Sequence, residues 1–335
     1  MRSHTRTMQT ARAHHIVRRL APSVLGFVSA AAVLALAGDA LASGFATARF
    51  GGEHGNPVTD NATAIYYNPA GIADRTPGEE APFNVRIFVD ANLALRSADY
   101  NRAAAGSDIA PPAGYEEANV GNASLFNVAV APMAGAVFKI DDFAIGAAFH
   151  VPFGGGSSYS RNPTFERGNQ QYAGPVDGVQ RWATIDGSLR TLMISFAAAY
   201  DIAKYVSVGA AFNVGFSQVK TVRAREVLGT NDIVNEGRSL IDVKGTHGSF
   251  GAGILAEPIP GKLWIGASYQ AQPGLGEMKL GGTLTNNFSG SVAPNDVNLF
   301  QELPPIYRLG VRGRPSDDVE LRLFGDVTDW SLMRH

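Results

Sequence analysis

Apolar and polar residues alternate along this chain with a period of two. Between Asn84 and Arg96, Val85, Ile87, Val89, Ala91, Leu93 and Leu95 fall on one face. Arg86, Phe88, Asp90, Asn92, Ala94 and Arg96 fall on the other. Strict alternation over such a length predicts a β-strand. It exceeds the roughly 9–11 residues that a tilted strand needs to cross a bilayer.

The pattern recurs. Leu125–Lys139 predicts a second strand, broken at Pro132. Phe143–Val151 predicts a third, and Leu189–Tyr200 a fourth. The fifth starts at Val206, with Val208, Ala210, Phe212, Val214 and Phe216 opposite Ser207, Gly209, Ala211, Asn213, Gly215 and Ser217. Ser239–Glu257, Leu263–Gln272, Ile306–Arg314 and Val319–Trp330 complete nine. A tenth in Met278–Phe288 is the alternative count.

The connections alternate in length. Those at 140–142, 201–204, 258–262 and 315–318 are short. Those at about 97–121, 155–188, 226–238 and 273–305 are long and rich in Gly, Pro and Asn. A transmembrane barrel predicts this asymmetry, with short periplasmic turns and long outer loops, whereas a soluble sandwich gives no reason for it. The fold class is therefore all-β, a transmembrane antiparallel β-barrel. Tyr200, Tyr205, Tyr269, Trp264 and Trp330 lie near strand ends, as candidates for an interfacial aromatic girdle.

The N-terminus carries an export signal over residues 1–42. Arg12, Arg18 and Arg19 precede the apolar run Val24–Ala37, and Ala40-Leu41-Ala42 offers a cleavage site with a mature start at Ser43. No other stretch has the apolar length of a membrane-spanning helix, so an exported membrane form must be a barrel. The chain has 28 Lys and Arg against 30 Asp and Glu. Cleavage would remove five Arg and one Asp and leave the mature chain at about −6, with no basic surface for nucleic acid. With Cys 0, a thiol nucleophile, a Cys-ligated metal and a disulfide are all excluded.

Little else suggests chemistry. His54, His150, His247 and His335 show no metal-ligand spacing. Gly251-Ala-Gly253-Ile-Leu-Ala256 imitates a dinucleotide fingerprint but lies inside an alternating strand with no helix to follow. No G-x-S-x-G or phosphate-binding loop is present, and His247 near Ser249 is no triad. No catalytic residue, metal or cofactor is predicted.

Three stretches, in their order, resemble the FadL/TodX family of outer-membrane transporters for hydrophobic compounds. They are Asn61–Ala73 with Asn68-Pro69-Ala70-Gly71, Val151-Pro152-Phe153-Gly154-Gly155-Gly156, and the Leu303–Val311 block with Trp330-Ser331. The resemblance implies a barrel of fourteen strands, of which about 9–10 are present here. It implies an N-terminal plug over 43–82 that gates at Asn68, Pro69, Ala70 and Gly71, and a barrel over 83–335. It also implies an inward kink at Pro152, Phe153, Gly154 and Gly155 that opens the wall sideways. Proline and glycine there independently predict weakened pairing or a plain strand end.

The implied partners are hydrophobic small molecules such as long-chain fatty acids, with outer-membrane lipid and lipopolysaccharide around a monomer. A polar-solute porin and a structural or adhesive barrel are the alternatives. Phe153, Tyr159, Phe165 and Tyr172 are the large apolar candidates for an outer docking groove. Arg49, Glu53, His54 and Arg75 are expected to pair with lumen residues such as Arg86 and Asp90. Nine strands would leave the two chain ends on opposite sides of the membrane, so the sequence is expected to be incomplete at its C-terminus by roughly five strands.

Overall fold

The computed structural model describes residues 48–333, apart from 54, 74–82, 107, 167–170 and 289–290. The export signal, His54, Arg75 and His335 lie outside the described residues.

Among the described residues, eleven antiparallel strands form one sheet. They are β1 (Phe83–Arg102), β2 (Gly121–Ile140), β3 (Phe143–Ser158), β4 (Asp186–Ala203), β5 (Val206–Arg225), β6 (Gly237–Ile259), β7 (Leu263–Gln270), β8 (Glu277–Phe288), β9 (Ser291–Glu302), β10 (Ile306–Ser316) and β11 (Val319–Thr328). The hydrogen-bonded order is β1-β2-β3-β4-β5-β6-β7-β10-β11, with β8 on β6 and β9 on β8. All nine strands expected from the alternation are present, most of them longer than expected.

Two expectations are corrected. Pro132 does not break β2, because it pairs with Ala91 of β1 inside an unbroken register from Phe83↔Ile140 to Arg102↔Gly121. The stretch 273–305 is not a loop. Met278–Phe288 lies within a strand, as the alternative count had it, and its partner is the unforeseen β9. The long strand β6 pairs with β7 through Gly251–Ile259 and with β8 through Arg238–Lys244. The β8–β9 hairpin thus prolongs β7 and β10 toward the long-loop end. Its signal is faint because Thr, Asn and Gly dilute the alternation.

The exposure pattern is inverted relative to a water-soluble protein. Ile87, Val89, Leu93, Leu95, Phe126, Phe196 and Phe212 are exposed on the outer face. His150, Thr191, Ser195, Asn213, Ser249, Gln270, Arg308 and Arg312 are buried on the inner face. An apolar skin of this extent requires an apolar solvent. No helix among the described residues is long and apolar enough to cross a membrane, a statement that leaves strands untouched.

Trp264 departs from the aromatic girdle. It is buried on the inner face, with the Arg312 guanidinium 4.0 Å from its ring centroid. Trp330 packs against an inner apolar cluster. Tyr200 and Tyr205 are exposed near the short-turn end, as a girdle requires.

The inverted skin predicts the cost of a charge. Val89→Arg, at an exposed position, should destabilise the barrel by about 2–4 kcal/mol if it lies near the bilayer midplane. Urea unfolding in lipid vesicles checks this. Unfolding at the wild-type midpoint would show that the outer face does not meet lipid.

Candidate functional site

Residues 48–53 and 55–73 lie against the inner face of the sheet. A short helix, α1 (Ala64–Tyr67), leads into a 3-10 turn at Pro69–Ala73, and every residue from Ala62 to Ala73 is buried. Such short turns leave their carbonyls unpaired. Wall cations supply the missing donors. Arg86 donates to Asp60 O at 2.6 Å and to Ile72 O. Lys139 donates to Ala73 O, and Arg308 donates to the carbonyls of Tyr66 and Tyr67 at 3.4 Å while lying over both rings. Ser268 Oγ adds a bond to Tyr67 O at 2.5 Å.

Asn68, the first residue of the Asn-Pro-Ala-Gly motif, ties the segment to the wall. Its Nδ2 donates to Pro57 O at 2.7 Å and to Ile254 O at 3.0 Å, and its Oδ1 accepts from Ala70 N. Two wall glycines make room. A Cβ on Gly253 would overlap Asn68 Oδ1, and one on Gly209 would overlap the Pro69–Ala70 backbone. The small residues that soften the strand pattern at these positions are the seat of the motif.

Of the charges expected to pair with the wall, Glu53 does so, though with neither Arg86 nor Asp90. Asp90 accepts from Gly51 N at 3.1 Å, and Arg86 meets segment carbonyls. Glu53, however, pairs with Arg322, and Asp60 pairs with Arg312 at 2.5 Å, both on the last hairpin of the sheet.

Beyond the segment, polar side chains run across the wall as a belt. His150 Nε2 lies 2.8 Å from Ser195 Oγ, which bonds Asn213, whose Nδ2 donates to Ser249 Oγ at 3.0 Å. The Phe50 and Tyr66 rings pack edge-on against His150. His247 and Ser217 begin a second short belt with Thr191.

Above this level the wall parts. The β2–β3 ladder ends at Met133↔His150, and a single bridge at Leu125↔Tyr159 rejoins the strands near the long-loop end. The next two rungs would be Pro132 opposite Val151 and Ala131 opposite Pro152. A proline stands on each side, and neither can donate to a ladder. Meanwhile β3 stays on β4 through a bulge between His150 and Phe153. Val151, Pro152, Phe153 and Gly154 are all buried. Two side chains span the parting, with Asn127 Nδ2 donating to Gly156 O at 2.7 Å and Arg96 Nη1 to the same oxygen at 3.3 Å. The expected kink residues lie just beyond the point where the β2–β3 ladder stops. Pro132 is a functional candidate that the alternation had cast only as a strand breaker.

Inside the parting lies a cavity of about 430 Å³. Leu189, Val219 and Ile241 form its apolar lining, Gly155 and Gly156 its side toward the kink, and Arg96 and Arg223 bring two guanidinium groups to it. An apolar cluster of Phe153, Val243, Met278, Leu280, Leu303 and Ile306 packs against the same Leu189, Val219 and Ile241. Met278 and Leu280 come from β8, the strand of the alternative count, so these two residues of the cluster lie outside the nine-strand count.

A roof of loops caps the long-loop end. Arg181 is fully buried, pairs with Glu236 at 3.0 Å, and donates to Ala118 O, Gly178 O and Asn119 Oδ1. Asn119 also accepts from Trp182 Nε1 and donates to Asn231 O. Three separate loops thus meet at one asparagine, a constellation with no local sequence signal. Phe165 and Tyr172 do not line an exposed groove. Phe165 is buried and stacks on Tyr115, which Tyr172 meets edge-on. Val227 and Leu228 are instead the most exposed apolar side chains of the loops.

An inside-out antiparallel wall around a polar interior defines an outer-membrane transport barrel. The family model for outer membrane protein transport protein (OMPP1/FadL/TodX) matches residues 23–334, and the chain belongs to that family. It is accordingly an outer-membrane transport protein for hydrophobic compounds, and not an enzyme. Solved structures of similar fold include a Pseudomonas aeruginosa FadL homologue, at TM-score 0.64 and 17% identity over 86% of this chain and 70% of that one. The Ralstonia pickettii toluene transporter TbuX matches at TM-score 0.55 and 17% identity over 83% and 70%. The Pseudomonas putida toluene transporter TodX matches at 0.53 and 13% over 81% and 67%. Comparison with curated proteins finds no match.

Two outcomes test the site. Gly253→Leu should displace Asn68, and amides of residues 61–73 should exchange hydrogen at least tenfold faster. Asn68→Ala, which strips two donated bonds, should weaken the seat by about 1–3 kcal/mol. Unchanged exchange in both variants would contradict the seat.

The roof should respond to acid. Burial raises the Asp108 carboxyl, but bonds from Arg102, Asn231 and the Ala105 N–H outweigh it and hold its pKa below the usual range. Glu226 is likewise burdened by burial and lowered on balance by the Leu228 and Thr230 donors. Folded pKa values below the unfolded ones stabilise above the unfolded value and cease to do so as pH falls through the folded one. Trp182 emission, with Trp264 and Trp330 replaced by Phe, should stay constant between about pH 5 and 8 and change below about pH 4.

Proposed function

We propose that the protein imports long-chain fatty acids, or other hydrophobic compounds, by passive diffusion with lateral exit through the barrel wall. It acts as a monomer surrounded by outer-membrane lipid and lipopolysaccharide. Residues 43–82 serve as the plug of the barrel at 83–335. A ligand is captured at the outer loops, settles in the cavity at Leu189, Val219 and Ile241, and leaves between β2 and β3 past Pro152, Phe153, Gly154 and Gly155. A shift of the plug at Asn68, Pro69, Ala70 and Gly71 accompanies its passage.

The observation that carries this reading is the apolar cavity set directly behind the parting of β2 and β3. A polar-solute porin has no use for an apolar chamber, and a structural barrel has none for a gap in its wall. Lateral exit also follows the energetics. At about 0.8 kcal/mol per CH₂, an acyl chain strongly favours lipid over the aqueous periplasm. Arg96 and Arg223, both half-buried beside the apolar lining, favour a carboxylate-bearing ligand over an uncharged aromatic one, because a guanidinium donates charge-assisted hydrogen bonds to a carboxylate. The cavity lies beside the kink rather than beside the Asn-Pro-Ala-Gly motif, so capture and gating occupy different levels of the lumen.

The test is saturable binding of radiolabelled oleate and of toluene to the purified protein, followed by oleate transfer into vesicle lipid. Replacing Arg96 and Arg223 by Gln should weaken oleate at least tenfold and leave toluene unchanged. The absence of native cysteine permits a clean cross-link across the parting. An Ala129→Cys/Gly155→Cys pair joined by a short bis-maleimide should keep oleate binding and abolish transfer. Transfer at the wild-type rate in the cross-linked protein would sink lateral exit.

A further inference from the structure

Four strands carry an exposed cation at the same level of the outer wall: Arg190 on β4, Lys220 on β5, Lys244 on β6 and Lys279 on β8. Each sits back to back with the inner apolar cluster, since its chain neighbours Leu189, Val219, Val243 and Leu280 all belong to that cluster. Alternation therefore turns all four cations outward.

The register groups them. Arg190 and Lys244 flank Gln218 on either side, Lys220 lies between Ser188 and Asp242, and Lys244 faces Gly281, two residues from Lys279. One acid, Asp242, pairs with Lys220, and the others stand at the margins of the group. Asp242 is bound by Gln218 at 3.1 Å and Lys220 at 3.6 Å, while Asp186 lies at the upper margin and Glu277, with Glu302 opposite it on β9, at the lower. Arg190, Lys244 and Lys279 have no ion-pair partner among the described residues.

The level of the group is set by the apolar skin. Phe196, Ile194 and Leu192 precede Arg190 on the outer face of β4, and Phe212, Val214 and Phe216 precede Gln218 on β5. Arg190 and Tyr200 are separated by about ten residues, which at ~3.3 Å each and a tilt of about 40° is a height of about 25 Å. That is the height of the apolar band of an outer-membrane barrel. The cations thus begin where the hydrocarbon ends, on the long-loop side. They are confined to one sector, for the outer faces of β1 and β2 carry Ser97, Asp99, Asn122 and Ser124 beyond their apolar runs.

We propose that Arg190, Lys220, Lys244 and Lys279 form a binding patch for the phosphorylated glucosamine head of lipopolysaccharide in the outer leaflet. The proposal rests on the outer-membrane orientation used above and not on the identity of the transported ligand. A phosphate monoester carries up to two negative charges and accepts several charge-assisted hydrogen bonds. The acyl chains of the same molecule would lie along the Phe196, Phe212 and Phe216 skin below. The patch fixes one lipid directly outside the wall whose inner side lines the cavity.

The test is binding of bisphosphorylated lipid A to the folded, detergent-solubilised barrel, measured by native mass spectrometry, with oleate binding followed in parallel. The wild type should retain lipid A and bind the enzymatically dephosphorylated form at least tenfold more weakly, with millimolar inorganic phosphate unable to displace it. Arg190→Gln/Lys220→Gln/Lys244→Gln/Lys279→Gln should lose the preference for the phosphorylated form and keep oleate binding. Replacing the three lysines by Arg should restore it. Equal retention of both forms by the wild type, or an undiminished preference in the quadruple variant, overturns the proposal. Loss of oleate binding alone would instead count against the transport reading.

Discussion

Every backbone N–H and C=O that faces hydrocarbon must find a partner within the protein, since the bilayer core offers none. The rest of this molecule is arranged around that constraint. It imposes antiparallel ladders, turns large side chains outward, and leaves a lumen in which polar groups must satisfy one another. It also makes any parting of the ladder costly. The parting between β2 and β3 is therefore bounded, running over the seven residues 126–132 of β2 before the Leu125↔Tyr159 bridge, and Pro132 and Pro152 remove two of the donors that would otherwise go unpaired. Asn127 and Arg96 span the rest through one carbonyl.

The same accounting explains the inner seat. The segment at 48–73 is too short to pair its own carbonyls, and Arg86, Lys139 and Arg308 do so from the wall. Their charges face neutral carbonyls, and the two carboxylates of the segment, Asp60 and Glu53, meet Arg312 and Arg322. These polar bonds border an apolar interface in which Phe50, Ile65, Tyr66, Tyr67 and Ile72 pack with Met133, Val137 and alanines of β3, β4 and β5. The roof follows the opposite plan, with Arg181 buried and satisfied on every side.

Between seat and roof the lumen is layered. Polar belts centred on Asn213 and Ser217 separate the segment from the apolar chamber, and the chamber opens toward the parting. Its apolar lining and the outer cations share the same strands in alternation, so one stretch of β4, β5, β6 and β8 serves the lumen with one face and the lipid boundary with the other.

The alternation of side chains in sequence was enough to determine nine strands, their inward and outward faces, and the direction of the short turns. That follows because a strand's period of two is a local property and the apolar solvent enforces it residue by residue. The Asn-Pro-Ala-Gly and Val-Pro-Phe-Gly stretches were legible for a related reason, since proline and glycine change the backbone wherever they stand. What the tertiary structure alone decided depends on register. It put Pro132 just beyond the end of the β2–β3 ladder, Gly253 against Asn68, Trp264 inward against Arg312, and Met278 and Leu280 into the apolar cluster beside the chamber. It also gathered Arg190, Lys220, Lys244 and Lys279 from four strands into one patch. Partners far apart in sequence, such as Asp60 and Arg312, leave no local trace, because hydrogen bonds between strands, and not chain neighbours, bring them together.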